Sequence, residues 1–321
     1  MMEAGEEPLA FDVSAEAERL AEQCRVAVTR LRRRGIVVAV SGGIDSAVVA
    51  ALAVRALGPR RVHALLLPER DSSHESTALG RRLCESLGVE STLQDIAPVL
   101  ESVGCYRERD AAVRSVFPAF EPSMRWKIAL GGERLTTGLL TFFSLIVQLP
   151  DGEERSFRLP ADAYVRIVSA TNFKQRTRKM LEYFHADRLH YAVAGTTNRL
   201  EHELGFFVKL GDGAADVKPI AHLYKTQVYA LGRHLGVIGA ILERPPTTDT
   251  YSLQQSQEEF YFLLDHRRLD RILRAKDEGI SAADVARDLK MPVEHVVHAY
   301  QDIDRKRRVA EYLHAPSILF G

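Results

Sequence analysis

The chain has 321 residues, enough for one large α/β domain or for a domain with a smaller appendage. Hydrophobic residues make up 46% and charged residues 27%, an ordinary globular balance that argues against long disorder. Lys plus Arg and Asp plus Glu both number 43, so net charge is zero and the basic excess of a dedicated nucleic-acid binder is missing.

Cys24, Cys84 and Cys105 form no close pair, which excludes a Cys-x-x-Cys redox or zinc motif and speaks against a disulfide framework. Residues 1–12 are acidic, with no apolar stretch behind a basic start, so they do not read as a signal peptide. The longest apolar run, 138–149, falls short of the roughly 18 to 20 residues a membrane helix needs. A cytoplasmic protein with neither membrane nor nucleic-acid partner is expected.

In chain order, 15–33 reads as an amphipathic helix with Leu20, Cys24, Val28 and Leu31 near one face. The apolar run Gly35-Ile-Val-Val-Ala-Val40 reads as a buried parallel strand, followed by a helix at 46–57. A strand at 62–67, a helix at 74–87, a weaker strand at 90–95 and a short helix at 98–103 come next. Such alternation predicts an open parallel sheet with helices on both faces. The alternation then breaks. Between Tyr106 and Ser169, a strand at 139–149, the turn Pro150-Asp151-Gly152 and a polar alternating run predict a β-hairpin inserted into the core. The core resumes with a basic helix at 173–185, a strand at 190–194 and a helix at 225–235. Three units result: an N-terminal helix at 1–34, a core at 35–255 with an insertion at about 106–169, and a helical region at 256–321.

Ala39-Val-Ser-Gly-Gly-Ile-Asp-Ser46 joins the first strand to its helix. Ser41, Gly42 and Gly43 let backbone N–H groups converge without Cβ obstruction, and the helix adds the positive end of its dipole. Asp45 can hold magnesium on a pyrophosphate, and Ser46 can donate to a phosphate oxygen. The string has no Gly-Lys-Ser/Thr and no Gly-x-Gly-x-x-Gly, so it is neither a kinase-type phosphate loop nor a dinucleotide fingerprint.

Three further strings follow. Gly195-Thr-Thr-Asn-Arg-Leu-Glu201 comes after a buried strand, which puts Thr196 and Glu201 at the carboxyl edge of the sheet, where ligands of open α/β sheets bind. Lys209-Leu-Gly-Asp-Gly-Ala-Ala-Asp216 sets a cation and two carboxylates around two glycines, and Lys225 stands close to a helix N-terminus. On the basic helix Asn172-Phe-Lys-Gln-Arg-Thr-Arg178, Lys174 and Arg178 share one face while Asn172 and Arg176 share another.

The string Ser41 to Ser46 resembles the loop of N-type ATP pyrophosphatases, which split ATP into AMP and pyrophosphate on an adenine nucleotide alpha hydrolase-like fold. Together with Gly-Thr-x-x-x-x-Glu, Lys-x-Gly-Asp-Gly-x-x-Asp and a lysine nine residues on, the chain resembles the ammonia-using NAD synthetases from about Val37 to Thr248, outside the insertion. The resemblance implies that deamido-NAD is adenylated and then attacked by ammonia. It implies ATP contacts at Ser41, Gly42, Gly43, Ser46, Thr196, Lys225 and Thr247. Magnesium would sit on Asp45 and Glu201, and Asp45 and Lys225 would be catalytic. Arg176, Lys209, Asp216 and Lys306 would meet the substrate, and a homodimer is implied as well. Arg305 stands where the family usually has histidine, and the long insertion departs from its spacing. A fused glutaminase needs far more than the 35 or so residues before the first strand, so free ammonia, or ammonia from a separate glutaminase subunit, is the expected donor.

A second reading keeps this chemistry on another biosynthetic carboxylate. A third takes Ile280-Ser-Ala-Ala-Asp-Val-Ala-Arg-Asp-Leu-Lys-Met-Pro-Val-Glu-His-Val296 as a helix-turn-helix in a nucleotide-sensing regulator, although its second helix opens with Glu294 and His295 and no arginine. A tRNA thiolase would need a cysteine pair that the chain lacks.

Overall fold

A computed structural model describes residues 11–131, 142–247, 250–262 and 264–320. Helix α1 (Val13–Arg30) leads into β1 (Ile36–Ala39), α2 (Ile44–Leu57), β2 (Val62–Leu66), α3 (His74–Leu87), β3 (Glu90–Leu93) and α4 (Ala97–Ser102). Local chemistry marks these boundaries. Asp12 caps α1 by accepting from Ala15 N at 2.9 Å, and Ser73 caps α3. Gly88 ends α3 in the left-handed region.

The chain then runs through α5 (Cys105–Val116), β4 (Arg125–Gly131), β5 (Phe142–Gln148), β6 (Glu154–Arg158), α6 (Ala161–Leu189), β7 (Ala192–Ala194), α7 (Arg199–Leu204) and α8 (Lys225–His234). The C-terminal part holds α9 (Gly239–Leu242), α10 (Gln257–Phe260), α11 (His266–Asp277), α12 (Ala282–Leu289) and α13 (Val293–His314). Among the described residues, no helix is long and apolar enough to cross a membrane.

The main sheet is parallel, in the order β3-β2-β1-β7. β1 is apolar throughout, and β2 is apolar except for the buried His63, because helices cover both faces. On one face α2 packs between α1 and α8, and its alanines let the helices approach closely. Truncating Leu20 of α1, which is buried in this layer, to Ala would cost about 2 to 5 kcal/mol. The chain moves outward from β1 to β3 and then returns to β7 on the other side of β1. That reversal leaves a crevice at the carboxyl ends of β1 and β7.

The predicted insertion differs from the observed one. A three-stranded antiparallel sheet, β4-β5-β6, replaces the two-stranded hairpin, although the Asp151-Gly152 turn does join β5 to β6. Leu139 to Thr141, the start of the expected strand, lies outside the described residues. β4 alternates Trp126 and Ile128 inward with Arg125 and Lys127 outward. The inward residues join Leu145, Val147 and the α5 residues Ala112 and Val113 in one core. Helix α5 therefore begins where the insertion was expected to begin, and its Cys105 and Tyr106 pack against Val37, Leu65 and Val193 of the main sheet. The basic helix starts at Ala161, not 173, and runs for 29 residues.

α6 inverts the usual pattern of a surface helix. Its buried positions include Lys174, Lys179 and Glu182, while Val165, Phe173, Met180 and Phe184 are exposed. At the C-terminus, α11, α12 and α13 pack on α7 through Leu200, Leu204, Ile272, Val285, Val296 and Ile303.

Candidate active site

At the crevice lies a cavity of about 440 Å³, walled on one side by the β1–α2 loop, α7 and α8 and on the other by α6. Gly42 has φ +81°, and a Cβ there would stand 2.3 Å from Ser76 O, so the loop passes against α3 in a shape only glycine accepts. Ser46 Oγ donates to Gly43 O at 3.0 Å and accepts from Ser41 N at 3.2 Å, which cross-braces the loop. Gly43 caps α2 with no side-chain bond, leaving first-turn N–H groups of α2 available to a ligand anion at its positive end.

Three charges meet beside this loop. Lys225, 2% exposed at the first turn of α8, pairs with Asp45 on the first turn of α2. Asn198 Nδ2 donates to the other Asp45 oxygen at 3.0 Å. Glu201 accepts from Asn198 N at 3.1 Å and from Gln257 Nε2 at 3.2 Å. Burial, and then the Asp45 carboxylate, push Glu201 up to about 7. Burial works against the Lys225 charge, but Asp45 and Glu201 outweigh it and raise its pKa. Asp270, fully buried on α11, accepts from Lys225 N and Thr226 N at 3.2 and 2.8 Å and so caps α8 from another element. Burial raises Asp270 to about 6.

Asp45 and Glu201 make a donor set that fits a divalent cation. A buried carboxyl held up by a neighbouring carboxylate is what an added positive charge would relieve. Among the described residues no group of three or more His, Cys, Asp or Glu could hold a metal. Two carboxylates with the remaining ligands from phosphate and water match magnesium, which binds through few protein groups.

The opposite wall is the inward face of α6. Lys174 Nζ donates to Glu69 at 2.9 Å, Asp71 at 2.6 Å and Thr250 O at 2.8 Å. Burial would raise Asp71, but Lys174 and Arg109 hold it below the usual carboxylate range. Arg178 Nε donates to Leu67 O at 3.2 Å. Lys179 pairs with Glu182 at 2.7 Å, and burial raises both Glu182 and the nearby Asp212.

Ser41, Gly42, Gly43, Asp45, Ser46, Thr196, Glu201, Lys225 and Thr247 all line the cavity. Four other expected residues lie outside its lining. Arg176 is on the exposed face of α6 and donates to Lys209 O at 3.3 Å. Lys209 donates to Tyr312 O and Ala315 O at 2.8 and 2.9 Å, closing the end of α13. Asp216 accepts from Val193 N at 2.8 Å and fastens the chain to β7. Lys306 pairs with Asp302 at 2.6 Å and donates to Tyr261 O at 2.7 Å. In their place the cavity takes Lys174, Arg178, Lys179 and Asp212. The shared face of Lys174 and Arg178 was visible in the helical spacing, but which face turned inward was not.

A sequence profile of the NAD synthase family matches residues 16–116 and 154–310. The unmatched stretch between them holds β4 and β5, and the helix-turn-helix-like pair falls inside the family pattern. The NH(3)-dependent NAD(+) synthetase of Rhizobium meliloti (strain 1021) is 51% identical over 306 residues, covering 95% of this chain and 91% of its own. The solved NH3-dependent NAD synthetase from Campylobacter jejuni subsp. jejuni superposes with a TM-score of 0.63 at 22% identity, covering 97% of this chain and 100% of that one. NMN synthetase from Francisella tularensis gives a TM-score of 0.63 at 23% identity, with 97% and 99% coverage. At those identities the two structures share the fold, and the fold alone does not choose between their substrates.

Proposed function

The chain belongs to the NAD synthase family, and on that premise we propose that it is an ATP-dependent carbon–nitrogen ligase that amidates deamido-NAD to NAD with ammonia. The observation that carries the reading is the meeting of the Ser41–Ser46 loop, Lys225 and Glu201 on one wall of a single cavity.

A carboxylate oxygen does not leave at neutral pH, so the substrate carboxylate first attacks the α-phosphorus of ATP. An oxygen–phosphorus bond forms, the bond to the β-phosphate oxygen breaks, and pyrophosphate departs. Ammonia then attacks the carbonyl carbon, and AMP leaves. The open amides of α2 and the Lys225 ammonium face the charge that collects on the pyrophosphate. Magnesium on Asp45 and Glu201, when bound, would neutralise part of that charge. Thr196 and Thr247 offer hydroxyls to the nucleotide from the same cavity. Lys179, paired with Glu182 at 2.7 Å, and Asp212 line the same cavity on the α6 side. The protein's own task is to fix the two nucleotides in line and to exclude bulk water.

A homodimer in the cytoplasm completes the proposal. The outward face of α6 supports it, with Phe184 and Val165 each 58% exposed, Phe173 and Met180 beside them, and Arg176 on the same stripe. In that arrangement Arg176 serves a site shared with the partner copy, while Lys209 and Lys306 act by pinning α13 and Tyr261. The test is product formation by the purified chain with ATP, magnesium and either ammonium or glutamine, over deamido-NAD and nicotinate mononucleotide. NAD and AMP from deamido-NAD and ammonium are expected. Preference for the mononucleotide, or turnover on glutamine in ammonia-free buffer, would overturn the reading.

A further inference from the structure

Residues 117–153 fall outside the family profile, and the sheet they begin does not close on itself. Among the described residues β4 is an edge strand with β5 on one side, and along its other side run residues 251–255. Trp126 N donates to Ser252 Oγ at 2.9 Å, and Leu253 N donates to Trp126 O at 3.1 Å. Arg125 Nε donates to Ser252 O at 3.0 Å, Lys127 Nζ to Gln254 O at 3.3 Å, and Gln255 Nε2 to Ile128 O. Lys127 also pairs with Glu259 at 2.6 Å. The Trp126 ring lies 4.9 Å from Tyr251, whose ring lies 5.7 Å from Phe260.

The segment so gripped is a wall of the cavity, through Tyr251, Gln257 and Phe260. It also reaches two residues of the nucleotide site. Ser256 forms a backbone bridge with Thr247, and Gln257 supplies the amide that holds Glu201 at 3.2 Å. Lys174 fixes the start of the segment from inside by donating to Thr250 O. Left free, a segment like this would have to be ordered by each nucleotide that binds, and that ordering subtracts from affinity.

We propose that the inserted sheet is a positioning element for the reaction. The β4 edge holds 250–260 in its binding shape before any nucleotide arrives. Lys127 and Gln257 are positioning residues, the first acting through the segment on Thr247 and the second directly on Glu201. This rests on the functional reading of the cavity given above. It predicts a particular kinetic signature. If the brace loosens, only a fraction of molecules is competent to bind, so apparent affinity falls by that fraction. The saturated complex, with the segment back in place, turns over at its former rate.

The experiment uses the full chain carrying Lys127→Ala, with Ser252→Ala as a second variant that removes the partner of Trp126 N. Amide hydrogen exchange in 251–260 is measured without nucleotide, and KM and kcat are measured with ATP and deamido-NAD. Exchange across 251–260 should accelerate while β1 and β2 stay protected. KM for ATP should rise roughly tenfold with kcat within about twofold, and Lys127→Arg should restore both readouts. Unchanged exchange, a fall in kcat at unchanged KM, or failure of the arginine variant to rescue would overturn the proposal. A wild-type chain that made no NAD would instead overturn the functional reading. The exchange measurement needs no substrate and would still judge the brace.

Discussion

Replacing Glu201 with Gln tests the proposed metal site through stability as well as rate. In the folded chain the carboxyl is raised from 4.5 to about 7, so the folded state keeps a proton that the unfolded chain releases. The stabilisation from that proton is fully present below about pH 4.5 and is lost as pH rises through about 7. Across that window the wild type loses about 3 kcal/mol relative to a residue that cannot ionise, with part already gone at pH 5. Between pH 5 and pH 8 the difference between wild type and variant should therefore swing by about 2 kcal/mol in favour of the variant. Gln has one oxygen and cannot accept from both Asn198 N and Gln257 Nε2, but that loss is the same at both pH values and cancels. Thermal melts should show a relative shift of a few degrees. Magnesium with pyrophosphate should raise the melting temperature of the wild type at pH 8 far more than that of the variant. ATP–pyrophosphate exchange should fall by about a hundredfold or more. A pH-independent offset in melting, or near-normal exchange at saturating magnesium, would refute the reasoning.

Gly42→Ala puts a Cβ 2.3 Å from Ser76 O of α3 at a φ of +81°, so the loop and α3 must move apart; KM for ATP in steady-state assays should rise by about tenfold or more. Lys174→Met strips Glu69 and Asp71 of a buried cation and should cost about 3 to 5 kcal/mol in urea unfolding, whereas a surface pair would cost about 1 or less. Phe184→Asp on the exposed stripe of α6 should yield monomers in analytical ultracentrifugation, and a dimer that persists would remove α6 from the interface.

The loop side of the cavity was legible because its residues are local to strand ends. Once a buried strand precedes Ser41-Gly-Gly-Ile-Asp-Ser46 or Gly195-Thr196, those side chains must emerge at one edge of the sheet. The opposite wall was not, and α6 shows why. Both of its faces are basic or mixed, so periodicity finds the helix without saying which face turns inward. Only packing against Glu69 and Asp71 selects Lys174 over Arg176. β4 was readable in principle from the alternation of Trp126 and Ile128 with Arg125 and Lys127. Its docking on 251–255 was not, because an edge strand carries no mark of its partner. The cap that Asp270 places on α8 belongs to the same class, since nothing in an isolated helix announces a carboxylate 44 residues away.

The strand order has a consequence for how the chain reaches its active form. β1 hydrogen-bonds to β7, with Ile36 opposite Ala192, and nearly half of the chain lies between them. Asp45 follows the first of these strands, and Glu201 follows the second. During folding the half carrying β1, β2 and α2 can assemble from near-neighbour contacts. The pairing with β7 waits for a long loop to close, the slow class of event in folding. Until it closes, Asp45 has neither Lys225 nor Asn198, and the loop has no second carboxylate across from it. A nascent chain therefore has the Ser41–Ser46 loop well before it has the cavity, and on the proposed function ATP with magnesium should bind tightly only to molecules that have completed the sheet.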